Sequence, residues 1–402
     1  MPLDFLVSTL DGESPFETGG EPVLLHGTRG KRCAANLPGL STAGWSTPLR
    51  DEIADFLLEG DALVKVYEVL DQPVVAGRDV RLIVPGEGEQ VVPAGETIPA
   101  GSRLLRFHGT LLTAVEQGKA GIVVCSAIGP RWIASMRLVG KSTAGYTNGT
   151  VLAQVDRGAV VADLLGILNA EQDTGIQLGT VTPSSDTYVG PWLYRPFDQC
   201  LADLATGLGA PEYRFVPIEF DQGKIARLDV GPAIGVQRPD AVFSFGRWDR
   251  NVEDYTRTVT NEGRANRVFH LPPGFPDTAT QGVLDDEDPA GIAERLLEAV
   301  VQADLSVDDL RQKLLAYHLQ VRKGPRQTIA FQPVNQVTTG RVPLLGIDFD
   351  IGDLVPFRSW RQKPDLDWAL RIDAYFRAYQ LEWVENELGV ITPTITVAPD
   401  AS

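Results

Sequence analysis

The residues best suited to chemistry in this sequence are four histidines and three cysteines: His26, His108, His270, His318, Cys33, Cys125 and Cys200. The histidines lie far apart, with no spacing that would bring two of them to one metal ion, and the cysteines lack CxxC spacing. The cysteine number is odd, so these residues do not indicate a disulfide framework either. Burial as small apolar groups is the better interpretation for them.

The sequence also lacks the common catalytic motifs. It contains no GxSxG, HExxH or GxGxxG, and Gly140-Lys141-Ser142 follows Ser135, where a phosphate loop requires glycine. We therefore predict no catalytic residues, no cofactor and no enzymatic activity. Paired carboxylates of the glycosidase type stay an open alternative, because such partners can be distant in the chain.

Three acids, Asp348, Asp350 and Asp353, stand at nearly alternate positions around Gly352, as in a calcium-binding loop. An EF-hand needs a glutamate at its twelfth position, and Ser359 stands there. A solvated turn leading into the following strand is the favoured interpretation. We therefore expect no bound metal and keep these acids as a weak calcium candidate.

Length and charge restrict the fold and the partners. A chain of 402 residues is long enough for two or three domains, each with its own core. With 53 acidic and 36 basic residues, the net charge of −17 opposes sequence-specific nucleic acid binding, which depends on clustered Lys and Arg. The N-terminus has no signal-peptide pattern, and no apolar stretch is long enough for a membrane span. We expect a protein made without a secretion signal.

Forty glycines and 28 prolines indicate a β-rich body with many turns. We predict an α+β fold that is mainly antiparallel, with a few amphipathic helices. Residues 1–145 are predicted to form one antiparallel domain with a single helix, which Pro48 opens and Gly60 ends. Its strands are predicted at 5–10, 22–26, 62–69, 80–84, 103–115, 121–127 and 131–139, with an extended loop or hairpin at 85–101.

The next segment, residues 146–240, is predicted to be a small mixed α/β module. Apolar stripes indicate helices at 160–168 and 196–208. Alternating apolar residues indicate a hairpin made of strands 212–220 and 225–230.

From residue 241 the sequence is again β-rich. An aromatic strand ends at Phe245-Gly246, and Asn251 opens an alternating strand that reverses at 261–263. We expect Asn266-Arg267-Val268 to return alongside that strand as a hairpin. Further on we predict helices in the region 289–321, in two stretches around 292–301 and 306–321, strands at 327–334, 352–357 and 370–382, and a flexible tail at 389–402.

Three features in this order resemble the phage tail hub family. They are the Phe245-Gly246 and Asn251 hairpin with Asn266-Arg267-Val268, the acidic helix start at Asp288-Pro289, and segment 346–355 with Gly352 and Asp353 before a long strand. Residues 241–388 look like the second tube-forming domain of baseplate hubs in contractile tails and of the tail-tip minor tail protein in long non-contractile tails. Residues 1–145 look like the first tube-forming domain, and residues 146–240 like the smaller inserted domain.

The resemblance implies a structural virion protein made in the host cytoplasm and located at the tail tip or baseplate. It implies a homotrimer whose two barrel-like, tube-forming domains per chain make a pseudo-six-fold ring. Such a ring joins the six-fold tail tube to three-fold host-recognition parts and lines the channel for tape measure and DNA. The implied partners are a distal tail protein, the tape measure protein and other minor tail or receptor-binding proteins. Asn251 and the Asn266 to Val268 strand would then be barrel or seam elements, with Arg267 paired to an acid.

Two alternative functions belong to other classes. A carbohydrate-binding or adhesin protein would use exposed tryptophans to stack on sugars, and the candidates are Trp132, Trp192, Trp248, Trp360, Trp368 and Trp383. A cell-wall hydrolase is the second alternative. We expect no hydrolase domain, because the two tube domains and the insert implied by the resemblance would account for these residues.

Overall fold

The computed structural model describes residues 2–10, 22–37, 41–49, 52–139, 155–183, 187–188, 194–206, 209–221, 223–246, 250–271, 282–285, 298–302, 308–322, 326–334, 342–362 and 368–400. Within these residues the chain is mainly antiparallel β with five helices, as the α+β prediction requires. We call residues 2–139 the N-terminal part, 155–231 the insert and 234–400 the C-terminal part.

The N-terminal part is a run of antiparallel strands with two short helices. Its strands are β1 Leu3–Ser8, β2 Val23–Leu24, β3 Arg29–Asn36, β4 Thr42–Pro48, β5 Leu63–Val69, β6 Val74–Val75, β7 Val80–Val84, β8 Gly88–Val92, β9 Thr97–Ile98, β10 Arg103–Gln117, β11 Ile122–Ile128 and β12 Leu138–Val139. Its helices are α1 Glu52–Glu59 and α2 Arg131–Met136.

The insert packs two helices against a three-stranded sheet. Its elements are β13 Val155–Asp156, α3 Arg157–Glu171, β14 Ile176–Val181, β15 Thr187–Tyr188, β16 Arg195–Pro196, α4 Phe197–Leu204, β17 Glu212–Asp221 and β18 Lys224–Gly231. Helix α3 begins where the Asp156 side chain accepts a hydrogen bond from Ala159 N, and it buries the apolar stripe that includes Leu164 and Leu168. The predicted hairpin of β17 and β18 is confirmed.

The C-terminal part contains the longest strand. Its elements are β19 Phe243–Phe245, β20 Val252–Thr260, β21 Arg267–Leu271, β22 Gly282–Asp285, β23 Glu298–Gln302, α5 Asp308–Arg322, β24 Arg326–Pro333, β25 Leu354–Gln362, β26 Trp368–Glu385 and β27 Ile391–Ala398. Helix α5 agrees with the helix predicted at 306–321.

One large sheet crosses both β-rich parts, in the order β2-β1-β5-β10-β11-β4-β3-β26-β27-β24-β20. The two parts meet where β3 pairs with β26, with Cys33 opposite Trp383. The buried face of this sheet carries one apolar core with residues from both parts, including Trp45, Val123, Phe331 and Leu381. Over the described residues the strand order does not return to its start, so the sheet is open rather than a closed barrel.

Four predicted elements are wrong. Residues 131–136 form helix α2 rather than a strand, because Ala134 packs into the core of the insert beside α4. Pro48 ends strand β4, where it lies opposite Ile122, and the helix starts four residues later at Glu52. Strand β23 at Glu298–Gln302 replaces part of the helix predicted around 292–301, because it pairs in parallel with β21; residues 286–297 lie outside the described residues.

The fourth error is the tail predicted at 389–402, where Ile391–Ala398 form strand β27 between β26 and β24. Ile391, Ile395 and Val397 are buried there. Their alternation with threonine is a strand pattern that the sequence analysis attributed to a flexible tail.

The predicted hairpin of Asn251 to Phe269 is also wrong. Strand β20 pairs with β24 in the large sheet, whereas β21 lies in a separate three-stranded sheet between β22 and β23. Among the described residues, no helix is long and apolar enough to cross a membrane.

Candidate functional site: a polar junction between three parts of the chain

The insert meets both β-rich parts across a set of charged and polar residues that we call the polar junction. Its members are Lys65, Tyr67, Glu68, Arg78, Arg106, His108, Glu212, Arg214, Ile218, Glu219, Arg238, Asp350, Asp353, Arg377 and Asp400. They come from segments far apart in the sequence, so only the fold brings them together.

Segment 344–354 provides the C-terminal side of the junction through a series of tight turns. Leu344 N donates to Asp348 Oδ2 at 2.8 Å, and Asp350 N donates to Asp353 Oδ2 at 2.8 Å. Gly352 has φ +98°, and its carbonyl oxygen lies against Gly235, which also has positive φ. A side chain at either glycine would collide with the opposite backbone, so both positions require glycine.

Asp350 lies between two arginines of different parts. Its Oδ2 is 3.2 Å from Arg78 Nη2 and 3.4 Å from Arg214 Nη1, and Arg214 Nη1 also donates to the carbonyl of Ile351 at 2.9 Å. Burial would raise the pKa of Asp350, but the guanidinium groups of Arg78 and Arg214, together with the hydrogen bond from Ile351 N, hold that pKa below its ordinary value. Asp350 therefore stays ionised and ties the insert to the N-terminal part.

Asp353 binds the chain that leaves the insert. Val236 N donates to its Oδ1 at 2.7 Å, and Arg238 Nε donates to its Oδ2 at 3.0 Å. The three acids of the calcium candidate thus accept bonds from backbone amides and arginines. In the described part of the chain no group of three or more His, Cys, Asp or Glu side chains is placed to hold a metal ion.

Arg377 on β26 is 3% exposed and holds two acids. Its Nη1 is 2.6 Å from Glu212 Oε2 on β17, and its Nη2 is 2.8 Å from Asp400 Oδ1. Burial would lower the pKa of Arg377, but the two carboxylates outweigh it and raise that pKa. The bond to Asp400 also holds the chain beyond β27 in place.

The N-terminal side of the junction centres on Glu219 of the insert. Lys65 Nζ lies 2.7 Å from its Oε2, and Tyr67 Oη donates to its Oε1 at 2.7 Å. Next to them, His108 Nδ1 donates to the carbonyl of Ile218 at 2.7 Å. Burial, and to a smaller extent Lys65, lower the pKa of His108 to about 3, so the ring is neutral. Burial and Glu219 raise the pKa of Tyr67.

A buried ion pair between Arg106 and Glu68 lies next to the contacts of Glu219. Arg106 Nε donates to Glu68 Oε2 at 2.7 Å, and Arg106 Nη2 donates to the carbonyl of Leu345 at 2.7 Å. The guanidinium also lies 5.4 Å from the ring centre of Trp383. A groove of about 610 Å³ opens above these residues, and its walls include Arg81, Arg103 and Arg227.

Asn251, a predicted seam residue, binds the nearby backbone of residues 242–244 through its side chain. Its side-chain Oδ1 accepts from Ser244 N at 2.7 Å, and its Nδ2 donates to the carbonyl of Val242 at 2.7 Å. Phe245 packs edge-on against Tyr255 with ring centres 4.9 Å apart, and Gly246 has φ +90°. The structure therefore gives Asn251, Phe245 and Gly246 roles in holding β19 against β20.

The other predicted motif lies away from the polar junction. Val268 is fully buried in a small core with Ala265, Leu315 and Leu319. Arg267 lies in β21 with Asp285 and Glu298 at the facing positions of the two neighbouring strands. Asn266 directly precedes that strand. Sequence reasoning selected these residues, Gly352 and Asp353, but it missed Arg214, Arg377 and Glu212. Their contacts across the junction, Arg214 with Asp350 and Arg377 with Glu212, join residues more than a hundred positions apart.

The tryptophans and cysteines lie mostly inside the protein. Trp383 is 2% exposed, so its ring is not accessible for stacking on a sugar. Trp132 and Trp360 are half-buried. The side chains of Trp192, Trp248 and Trp368 lie outside the described residues. All three cysteines are buried, and burial raises the pKa of the Cys33 thiol to about 12. They act as apolar groups, as predicted.

No protein-family model matches this sequence, and no curated protein matches it. In structure the chain is similar to the tail protein from Neisseria meningitidis MC58, with a TM-score of 0.56 and 12% identity over 100% of this chain and 97% of that one. It is similar to the prophage MuSo2 43 kDa tail protein from Shewanella oneidensis, with a TM-score of 0.53 and 11% identity over 98% and 97%. It is also similar to prophage tail protein gp18 from Listeria monocytogenes EGD-e, with a TM-score of 0.50 and 11% identity over 99% and 95%. The predicted resemblance is therefore confirmed at the level of the fold: this chain has the fold of phage tail proteins.

Proposed function

We propose that this chain is a structural phage tail protein, the central hub of the tail tip or baseplate, which works through its interfaces. The observation that carries this proposal is the match to three tail proteins over nearly the whole length of both chains, 95% or more in every case. A match over whole chains favours an equivalent place in an assembly more strongly than a shared domain would.

The arrangement of the large sheet supports a trimeric ring. Around the β3–β26 pairing, the sheet has β10-β11-β4-β3 on the N-terminal side, where β5, β1 and β2 continue it, and β26-β27-β24-β20 on the C-terminal side. We take these two sets of four strands as two similar pieces. These pieces are our candidates for the two barrel-like, tube-forming domains. Three chains then present six similar pieces, as a pseudo-six-fold ring between a six-fold tube and three-fold host-recognition parts requires.

Two strand edges would form the seams of this ring. Strand β20 pairs with β24 on one side only, and residues 112–117 of β10 pair only with β11. Exposed edges invite pairing with another chain. In the ring, β20 of one subunit faces the free half of β10 in the next, which is a head-to-tail contact that closes.

The ring would sit in the virion and contact the distal tail protein, the tape measure protein and other minor tail or receptor-binding proteins. Its channel would pass tape measure and DNA. The net charge of −17 fits a channel that does not retain a polyanion.

The test is the mass and shape of the purified chain over a concentration series. Light scattering should give three times the 43.6 kDa chain mass, and electron microscopy should show three-fold rings. Val259→Lys on the β20 edge should weaken the trimer, whereas Val390→Lys, at a similarly exposed valine in a turn, should not. A chain that stays monomeric at every concentration contradicts the hub.

We also propose that the chain has no catalytic centre, because His108 and the carboxylates of the junction are bound to structural partners. Zymography on peptidoglycan tests this against the cell-wall hydrolase. A clear zone produced by the pure protein would overturn it.

A further inference from the structure

The groove of about 610 Å³ lies where the insert, the N-terminal part and segment 344–354 meet, and we call it the arginine groove. Its volume is typical of a cleft that binds a ligand. We propose that it binds an acidic segment of another protein chain, which enters the groove in an extended conformation. This site belongs to the single chain and does not depend on the ring.

Two strand edges that lack a neighbouring strand line the groove. Strand β17 pairs with β18 on one side only, and its residues 214–219 form one wall. Residues 104–109 of β10 pair with β5 but not with β11, and residues 103–106 form another wall. Apart from bonds within these sheets, the backbone of 103–105 and 215–217, all described residues, makes no hydrogen bond in the protein. Such edges can accept an added strand.

Apolar side chains lie along the same edges. The half-buried ones are Ile83, Leu105, Phe215, Val216 and Pro217. Successive side chains of a strand point to opposite faces. An extended ligand can therefore place every second side chain against these apolar groups and the others toward the charged walls.

The charged walls leave an excess of hydrogen-bond donors. The four wall acids already have donors within the protein: Asp79 accepts from Ala94 N, Glu89 from Arg81, Glu219 from Lys65 and Asp350 from Arg78. Six arginines share these walls, namely Arg78, Arg81, Arg103, Arg106, Arg214 and Arg227. Six arginines against four acids give an excess of two positive charges, in a chain whose net charge is −17.

Three of these arginines have donors to spare. Arg81 lies 3.4 Å from Glu89 and Arg103 lies 3.5 Å from Asp4, both long for an ion pair, and the two arginine side chains are 68% and 38% exposed. Arg227 binds Asp229 through Nε and Nη2, which leaves its Nη1. A guanidinium carries five N–H groups, and its planar fork matches a carboxylate. Carboxylates on a ligand would satisfy these donors.

The same charges disfavour other occupants. Nucleic acid is held by many clustered cations, and an excess of two charges interrupted by four acids does not provide them. A basic segment would meet acids that already have donors and arginines that repel it. An acidic segment with alternating apolar residues fits both the walls and the edges.

Fluorescence anisotropy with labelled peptides tests the chemistry on the full chain at 50 mM salt. A capped peptide of four Glu-Val repeats should bind saturably, and at least tenfold more tightly than the same peptide with Gln for Glu. Methylation of alternate backbone nitrogens should weaken the Glu-Val peptide at least tenfold, because an added strand then loses its bonds to the edges. Free glutamate at an equal carboxylate concentration should not displace it.

Each contrary result overturns the proposal in its own way. Absence of saturable binding, or equal affinity for the Glu and Gln peptides, removes the acidic ligand. Unchanged affinity after methylation removes the strand edges. Displacement by free glutamate assigns the groove to small anions, and tighter binding of a Lys-Val peptide or a single-stranded oligonucleotide assigns it to another class of partner.

A charge-removing variant and hydrogen exchange locate the site. Arg81→Gln/Arg103→Gln should weaken the Glu-Val peptide at least tenfold, whereas Arg358→Gln, at a 42% exposed arginine paired with Asp373, should not change its affinity. Both variants should keep the wild-type Tm, because their ion pairs are exposed. In the wild-type chain the peptide should slow amide exchange in 103–106 and 214–219. Equal affinity for the double variant, or protection confined to other segments, would overturn the proposal.

Discussion

The aromatic core of the C-terminal part and the polar junction hold the same sheet in opposite ways. In the core, the ring centres of Phe331 and Phe357 are 5.2 Å apart, and the ring centres of Phe243 and Phe331 are 4.6 Å apart. All three side chains are buried. In the junction, buried or half-buried charges such as Arg377 and Asp350 are satisfied one by one. The core is stabilised in proportion to the apolar area that it buries and does not depend on charge, whereas each junction contact depends on a particular charged or polar partner.

This difference teaches where stability and orientation come from. Apolar burial tolerates small shifts between packed elements, because it has no direction. Ion pairs and hydrogen bonds at 2.6–2.9 Å to Glu212, Glu219 and the Ile351 carbonyl fix the insert at one orientation on the sheet.

The largest loss of stability is expected from a substitution in the aromatic core. Phe357→Ala should lower the free energy of unfolding by about 3–5 kcal/mol, because it leaves a cavity among aromatic rings. Urea denaturation measures it. Tyr375→Ala, a 40% exposed aromatic on the neighbouring strand, should change stability by less than about 0.5 kcal/mol. Equal losses at both positions would contradict a dry aromatic core.

The junction should respond next. Arg377→Met should cost about 2–3 kcal/mol, because Glu212 and Asp400 lose a charged donor and the Ile234 carbonyl loses an N–H. Arg358→Met breaks an exposed pair with Asp373 and should cost less than about 0.5 kcal/mol. Limited proteolysis should show the insert of the Arg377 variant cleaved sooner. An unchanged cleavage rate would argue against the junction as the anchor of the insert.

Asn251 allows the same comparison inside the C-terminal part, because its polar side chain binds the backbone of residues 242–244 beside the aromatic core. Asn251→Ala should cost about 2 kcal/mol, because the Ser244 amide and the Val242 carbonyl lose their partners. Thermal unfolding checks it, with Asn261→Ala in an exposed turn as the matched control. If both variants have the same Tm, the hydrogen bonds of the Asn251 side chain do not contribute to stability.

The effect that is smallest per pH unit distinguishes the two regions by their response to pH. Because the folded-state pKa of His108 is about 3 against an ordinary 6.5, the unfolded chain binds the proton more readily between those values. Stability from His108 is complete above about pH 6.5 and is lost as pH falls, by up to about 1.4 kcal/mol per pH unit. His108→Gln should flatten this slope between pH 6.5 and 4.5. A slope identical to wild type would show that His108 titrates normally.

Much of the fold follows from local pattern. Helices α3 and α5, the β17–β18 hairpin and strand β24 agree with prediction because their apolar residues repeat at the period of one element. Pairing does not follow from local pattern: β20 and β21 have a turn between them, yet each pairs with a strand more distant in sequence. The candidate site was predicted only in part, since Asp353 and Gly352 belong to a motif, whereas Arg214 and Arg377 belong to none.

The sequence by itself determined the mainly antiparallel fold class, the absence of recognisable catalytic motifs and the resemblance to tail hubs, because periodicity, composition and motif order are properties of the chain. Only the tertiary structure decided that β3 joins β26 and that Asp350 meets Arg78 and Arg214. The physical reason is that pairing and burial depend on residues far apart in the sequence, and folding alone brings them to one place.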